Sequence, residues 1–317
     1  MLFSEFSRAD IIHILTEEEY KKNCLKISDM LPLYSASMAH YLKEYHGAES
    51  VIFYGVGYSE ISAIVFCLLD SDYIKTTDIE LVMPLFLDDS NLSNRHELVR
   101  EYLNIFSSVN DINFASGIIK DLNYVKLIDV KTLGFQVSIR AAMISSIEDT
   151  YDFQKRHFRK SYKSLINKAY RSITIDTIDS KSSNLDFIFK EMEDFHMLVS
   201  KRKTRSALTW ELQKKMVQQS EAFVVRAFFD NEFVGFNIVL YNSNWAYYGV
   251  GVYSRLHLDL SLGHVIQAET FRRLIELGLS SYYLGDFDGK KGDKEYNISM
   301  FKKGFANSES LRLCLSR

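Results

Sequence analysis

The chain has 317 residues, 47% of them apolar and 25% charged, with a net charge of -3. At roughly 150 residues per domain that is about two domains. Two prolines and 14 glycines exclude collagen-like and proline-rich disordered chains, and the near-neutral balance excludes a general polycation that binds nucleic acid. Three widely spaced cysteines, Cys24, Cys67 and Cys314, show no metal-like spacing and suit a reducing, cytoplasmic compartment. The opening Met1-Leu2-Phe3-Ser4-Glu5 does not read as a signal peptide.

Thr16 followed by Glu19 predicts a capping box opening a helix, and Ser35 to Tyr45 predicts another. Val51 to Leu69 is apolar enough to mimic a membrane span. Glu60 would lie at its centre, however, so strands over Val51–Val56 and Ile61–Leu69 explain it better. Asp78–Leu87 predicts a strand with Pro84 near its end, and Asn94–Phe106 a helix with Leu98, Tyr102 and Phe106 on one face. Short strands are expected at Ile112–Ala115 and Tyr124–Ile128.

The second half is patterned more clearly. Asp152–Ser172 predicts one basic helix, and Leu185–Ser200 and Thr209–Gln219 two more. Ala222–Phe229, Phe233–Tyr241 and Asn244–Tyr253 predict a three-stranded meander turned by Asp230-Asn231 and Asn242-Ser243. A helix over Ser261–Leu277 stopped by Gly278, a strand at Ser281–Phe287, a helix at Asn297–Phe305 and a strand at Leu311–Leu315 complete the chain.

Seven basic residues lie between Lys155 and Arg171 with no acidic residue among them: Lys155, Arg156, Arg159, Lys160, Lys163, Lys168 and Arg171. Like charges at helical spacing repel, so either carboxylates from elsewhere or a phosphate-bearing ligand should compensate them. Lys201-Arg202-Lys203 suits a helix C-terminus by its charge alone. Asp286 and Asp288 alternate at a strand end, where either could orient an amine or take its proton; Asp288-Gly289 also reads as a plain turn. Tyr247, Tyr248 and Tyr253 could face a ligand or simply pack. His264 could be a base, or a packed histidine. Neither a nucleophile elbow, a P-loop nor a zincin motif occurs, so covalent catalysis is not indicated.

The order helices, meander, helix, strand resembles the GNAT acyltransferase core, and specifically the FemABX branch with its two GNAT-like lobes. The segments similar to that branch are His157–Ala169, Phe195–Leu198 with Lys201-Arg202, Glu232–Gly235, Leu260–Gly278 with Tyr282–Asp286, and Phe301-Lys302-Lys303-Gly304-Phe305. The resemblance implies an α+β fold of two lobes, each a largely antiparallel mixed sheet flanked by helices. A degenerate lobe would span 1–147 and a catalytic lobe 148–317, with the acceptor in the cleft between them. The long coiled-coil arm of some members has no room here.

The resemblance also implies an N-acyl- or aminoacyltransferase that forms an amide on an amino sugar, a nucleotide-sugar or another cell-envelope precursor. Its co-substrate would be acyl-CoA, an acyl-carrier protein or aminoacyl-tRNA. Arg159, Lys163 and Arg202 would grip phosphate, Lys302 or Lys303 would polarise the carbonyl, Asp286 would assist the proton, and Tyr248 would meet the acyl or leaving group. Gly263 and His264 mark the helix start where GNAT proteins cradle pyrophosphate, although the glycine loop is incomplete here. An acyl-CoA-dependent N-acetyltransferase of a small amine and a non-catalytic GNAT-fold binding protein remain as alternatives.

Overall fold

The computed structural model describes residues 3–7, 9–75, 80–109, 111–117 and 125–317. The chain forms two compact units. One comprises Met1–Ala141 with Ser310–Arg317, and the other Ala142–Glu309. Where the sequence suggests a single boundary near 147, the chain thus passes between units twice, and its last eight residues fold with its beginning.

In the first unit the elements are α1 (Phe3–Phe6), β1 (Ile12–Leu15), α2 (Glu17–Cys24), α3 (Ala36–His46), β2 (Ser50–Val56), β3 (Ala63–Asp70), β4 (Tyr73–Ile74), β5 (Leu81–Val82), β6 (Leu85–Phe86), α4 (Leu92–Ile105), β7 (Asn113–Ala115) and α5 (Leu127–Thr132), followed by the start of β8 (Gln136–Ser146). The capping box at Thr16 forms: Glu19 N–H donates to Thr16 Oγ1 at 3.2 Å, and Thr16 N–H to the Glu19 carboxylate at 2.8 Å. The apolar stretch after residue 50 is a hairpin, β2 against β3, in an antiparallel sheet ordered β1-β2-β3-β4 with β6 also on β3. Among the described residues no helix is long and apolar enough to cross a membrane.

Two expectations change in this unit. The strand around Pro84 is two short strands, because proline has no N–H to continue a ladder; β5 joins β7, and β6 joins β3. Its expected start, Asp78-Ile79, lies outside the described residues, as does Tyr124. The strand expected at Tyr124–Ile128 gives way to α5 from Leu127. Aromatic rings build the core of this unit: Phe6, Tyr102, Phe106 and Phe114 are fully buried and touch mainly edge to face.

The second unit continues with α6 (Tyr151–His157), α7 (Lys160–Ala169), β9 (Ile173–Ile178), α8 (Leu185–Ser200), α9 (Ala207–Gln218), β10 (Ala222–Phe229), β11 (Glu232–Tyr241), β12 (Trp245–Tyr253), α10 (Leu262–Glu276), β13 (Ser281–Asp286), α11 (Lys294–Lys303) and the start of β14 (Ser308–Ser316). Its strands run β9-β10-β11-β12-β13, then the 142–146 end of β8; only β12 and β13 are parallel. Asp230 and Asn231 both have positive φ, which matches the twist of a two-residue hairpin. Asn237, buried on the α10 side of the sheet, donates to Thr270 Oγ1 at 2.9 Å, while Phe236 on the other side meets Phe195 of α8. Helices therefore cover both faces.

The single basic helix expected over 152–172 is two helices. Phe158 leaves helical geometry with ψ 144°, and its ring packs on Phe271 and Phe305 in the core. Arg159 N–H then donates to Gly304 C=O at 2.8 Å instead of continuing a helix. Burial of one ring and one long-range hydrogen bond outweigh a pattern that favours unbroken helix. Strands β8 and β9 were not anticipated, although Ile173–Ile178 alternates β-branched residues.

Candidate active site

β12 and β13 are hydrogen-bonded to each other only along Trp245–Tyr247 and Ser281–Tyr283. Beyond that point β12 follows β11 and β13 follows β8, so the two strands part into a wedge. A bulge lies on each side of the opening. Gly249 is the extra residue between the pairs Ile238–Val250 and Val239–Tyr248; Leu284 is the extra residue between Tyr283–Ile144 and Gly285–Met143. Bulges bend a strand and raise its twist, so a pair at the same level opens the sheet. A Cβ on Gly249 would lie 2.6 Å from Leu240 Cδ1, so the leucine would have to shift to admit one. Gly285 has φ +110°, a conformation that only glycine adopts readily. The stacked rings of Tyr247 and Tyr283, 5.5 Å apart, close the paired end.

Lys302 fills the open end. Its Nζ lies 4.9 Å from the Tyr248 ring centroid on β12 and 3.0 Å from where a Cβ on Gly285 of β13 would stand. Among the described residues Lys302 forms no ion pair. Burial pushes its amine down to about 8, and the negative charge of Asp286 opposes that fall. Lys303 points elsewhere: it pairs with Glu309 at 3.2 Å and is half-exposed. The structure thus separates two lysines that the sequence left equivalent.

Asp286 ends β13, and the Tyr283 hydroxyl donates to its Oδ1 at 2.6 Å. Asp288 takes the turn role. Its carboxylate accepts from Gly289 N–H at 2.7 Å, and its main chain is fastened to the buried Ser299 hydroxyl. Across the wedge the Tyr248 and Tyr253 hydroxyls share a hydrogen bond of 2.9 Å, and burial raises the pKa of both phenols. Gly251 makes this pair possible, because a Cβ there would fall 1.8 Å from the Tyr248 oxygen. Gln267 of α10, fully buried, accepts from Tyr282 at 3.3 Å while its Nε2 lacks a protein partner.

The position of Lys302 is fixed from α7. The Tyr162 hydroxyl donates to Phe301 C=O at 3.1 Å, and Arg159 Nη2 to Met300 C=O at 3.3 Å, so both occupy carbonyls of the last turn of α11. Gly304 clears the way, since a Cβ would stand 2.2 Å from the Tyr162 ring. His264 sits edge-on to Tyr162 and Phe301, at 4.4 and 5.1 Å. Burial first, and Arg159 second, push its imidazole down to about 4. It is a neutral packing residue at neutral pH, and the structure offers no support for a base there. Gly263 lets α10 approach Phe301, whose ring would be 3.1 Å from an added Cβ, so packing accounts for this glycine too. Tyr162, Gly304, Gly249 and Gly251 were not among the sequence candidates; glycines flanked by large aromatics were the available signal.

None of the seven basic residues from Lys155 to Arg171 forms an ion pair among the described residues. Arg156 lies over Phe153, Lys155 donates to Asn167, and Lys168 donates to the Asp259 carbonyl. Arg159 is adjacent to the Lys302 helix, and Lys163 lies one turn further along α7. Arg202 is not brought to the wedge: it is exposed beyond the end of α8, where its carbonyl accepts from Ser200 at 2.6 Å. Among the described residues no cluster of three His, Cys, Asp or Glu could hold a metal ion.

The family model for the acetyltransferase (GNAT) domain matches residues 156–297, which include α7, the meander, α10 and β13. No curated protein matches the sequence. Solved structures match the fold. FemX superposes with a TM-score of 0.69 at 14% identity over 96% of both chains. The C-terminal domain of a putative lysylphosphatidylglycerol synthetase from Agrobacterium fabrum gives 0.58 at 13% identity, over 95% of this chain and 92% of that one. A tandem GNAT protein from the clavulanic acid biosynthesis pathway gives 0.55 at 10% identity, over 96% of this chain and 97% of that one. The chain therefore shares the fold of FemX and of a tandem GNAT protein, and residues 156–297, within its second unit, match the acetyltransferase (GNAT) domain.

Proposed function

We propose that the protein transfers an acyl or aminoacyl group to an amino group on a phosphate-bearing acceptor, such as a nucleotide-sugar or another cell-envelope precursor. The observation that carries this reading is the Lys302 amine held in the open wedge between β12 and β13 without an ion pair among the described residues. A cation fixed there, away from bulk water, can stabilise the oxyanion that forms when an amine attacks a bound ester or thioester. Asp286, at the end of the adjoining strand, orients the amine and receives its proton. Tyr248 carries the cation on its ring and offers its hydroxyl, paired to Tyr253, on the same side. Arg159 and Lys163 hold acceptor phosphate, while Arg202 has no part in the wedge.

The donor is an acyl-CoA, an acyl-carrier protein or an aminoacyl-tRNA. The GNAT domain match favours CoA. The packing roles of Gly263 and His264, with leucines at 258 and 260 in the preceding segment, argue against a glycine phosphate cradle. The test is intact-mass analysis of amino-sugar and nucleotide-sugar acceptors incubated with each donor class. One donor should give an amide product that Lys302→Ala abolishes and Lys303→Ala leaves. No product with any donor, or equal product from both variants, refutes the reading. Calorimetry with CoA separates the small-amine acetyltransferase, which needs tight CoA binding.

A further inference from the structure

We infer that the segment joining β12 to α10 is a membrane-docking loop that inserts Leu256 and Leu258 into an anionic lipid bilayer. Leu256 is 89% exposed and Leu258 79%, although a chain this long has ample core in which to place leucines. They stand two residues apart in the sequence Ser254-Arg255-Leu256-His257-Leu258-Asp259-Leu260-Ser261. The loop is anchored at both ends and at His257 between the two leucines, so the exposure belongs to the leucines themselves. Ser254 N–H donates to Val234 C=O at 2.8 Å, His257 packs on Phe229 at 5.4 Å, and Ser261 C=O accepts from His264 N–H at 2.9 Å.

The charge around the leucines selects the occupant. Arg255 is exposed beside Leu256. Lys168 Nζ reaches the Asp259 carbonyl at 3.5 Å, which brings the end of α7 to the loop. Lys160 lies about two turns back along α7, at the other end of that helix, and Arg171 follows its last residue. Among the described residues none of these four cations forms an ion pair, and Asp259 carries the only carboxylate of the loop sequence. Protruding side chains, rather than a groove, suit a deformable apolar medium that needs no matching pocket. Cations beside the leucines and along the neighbouring helix suit anionic headgroups. An acidic protein surface or an RNA would use the cations and leave the leucines in water.

The test is sedimentation of the full chain with vesicles of phosphatidylcholine alone, or with about 30% phosphatidylglycerol, at the charge density of an anionic leaflet. The chain should bind the anionic vesicles and not the neutral ones. Leu256→Ser with Leu258→Ser should weaken binding by about tenfold or more, from the loss of two inserted apolar side chains. Lys160→Ala with Lys168→Ala should weaken it by a similar factor at low salt and by little at high salt. Circular dichroism confirms that each variant is folded. Failure of the intact chain to bind, or binding that the leucine variant retains, overturns the inference. Capture of an RNA homopolymer with no vesicle binding also overturns it, and assigns the cations to nucleic acid.

Discussion

Replacing Lys302 with methionine removes the charge and keeps an unbranched side chain in the wedge. Burial lowers the amine from the ordinary 10.5 to about 8. At about 1.4 kcal/mol per pH unit, holding the charged form in this site costs the folded state about 3 kcal/mol. The cost is complete below pH 8. As pH rises from 8 to 10.5 the folded protein releases a proton that the unfolded chain still binds, so native stability rises through that window. Lys302→Met should therefore stabilise the second unit by up to about 3 kcal/mol at pH 7, with the advantage vanishing near pH 10.5, while abolishing transfer. Both tryptophans, Trp210 and Trp245, are buried in this unit, so urea unfolding followed by their fluorescence reads the effect directly. A variant that is less stable at pH 7, or whose advantage persists unchanged to pH 10.5, would refute the assignment of a buried cation that costs stability.

Lys302→Arg should keep measurable transfer, and the decline in rate expected above pH 8 in the native protein should disappear, because arginine stays charged; an unmoved decline assigns it to another group. Gly304→Ala should destabilise the unit by about 1–3 kcal/mol through its clash with Tyr162, and should lower kcat as Lys302 shifts, both measurable in one purified variant. Gly251→Ala should cost more activity than Tyr248→Phe, since it displaces the ring as well as breaking the hydroxyl pair; equal rates would show that ring position is unimportant. The His264 imidazole should titrate near 4 in an NMR pH series, and native stability should fall as pH drops from 6.5 towards 4, because there the unfolded chain binds a proton that the folded site excludes.

The hairpins, the Thr16 capping box and the amphipathic helices were legible because each depends on neighbours within a few residues. The wedge was not. It requires two bulges on strands that pair with each other and with two further strands, β11 and β8, and a bulge depends on which strand lies alongside. The distinction between Lys302 and Lys303 was hidden for the same reason. It follows from Tyr162, some 140 residues earlier, gripping the end of α11 through space that Gly304 leaves open. The interruption at Phe158 shows the converse: the charge pattern is continuous helix, and only the core contact with Phe271 and Phe305 reveals why it breaks.

The return of the chain to its first unit has a consequence for biosynthesis. Residues 310–317 belong to that unit, and β14 completes the ladder on β7, with Cys314 opposite Ala115. On the ribosome, β7 therefore waits with one edge open until the entire second unit has been made, which takes roughly ten to thirty seconds at ordinary elongation rates. The unit that begins first finishes last. During that interval its exposed strand edge is a natural point for chaperone engagement, and a stop codon within β14 would damage the unit built from residues 1–141.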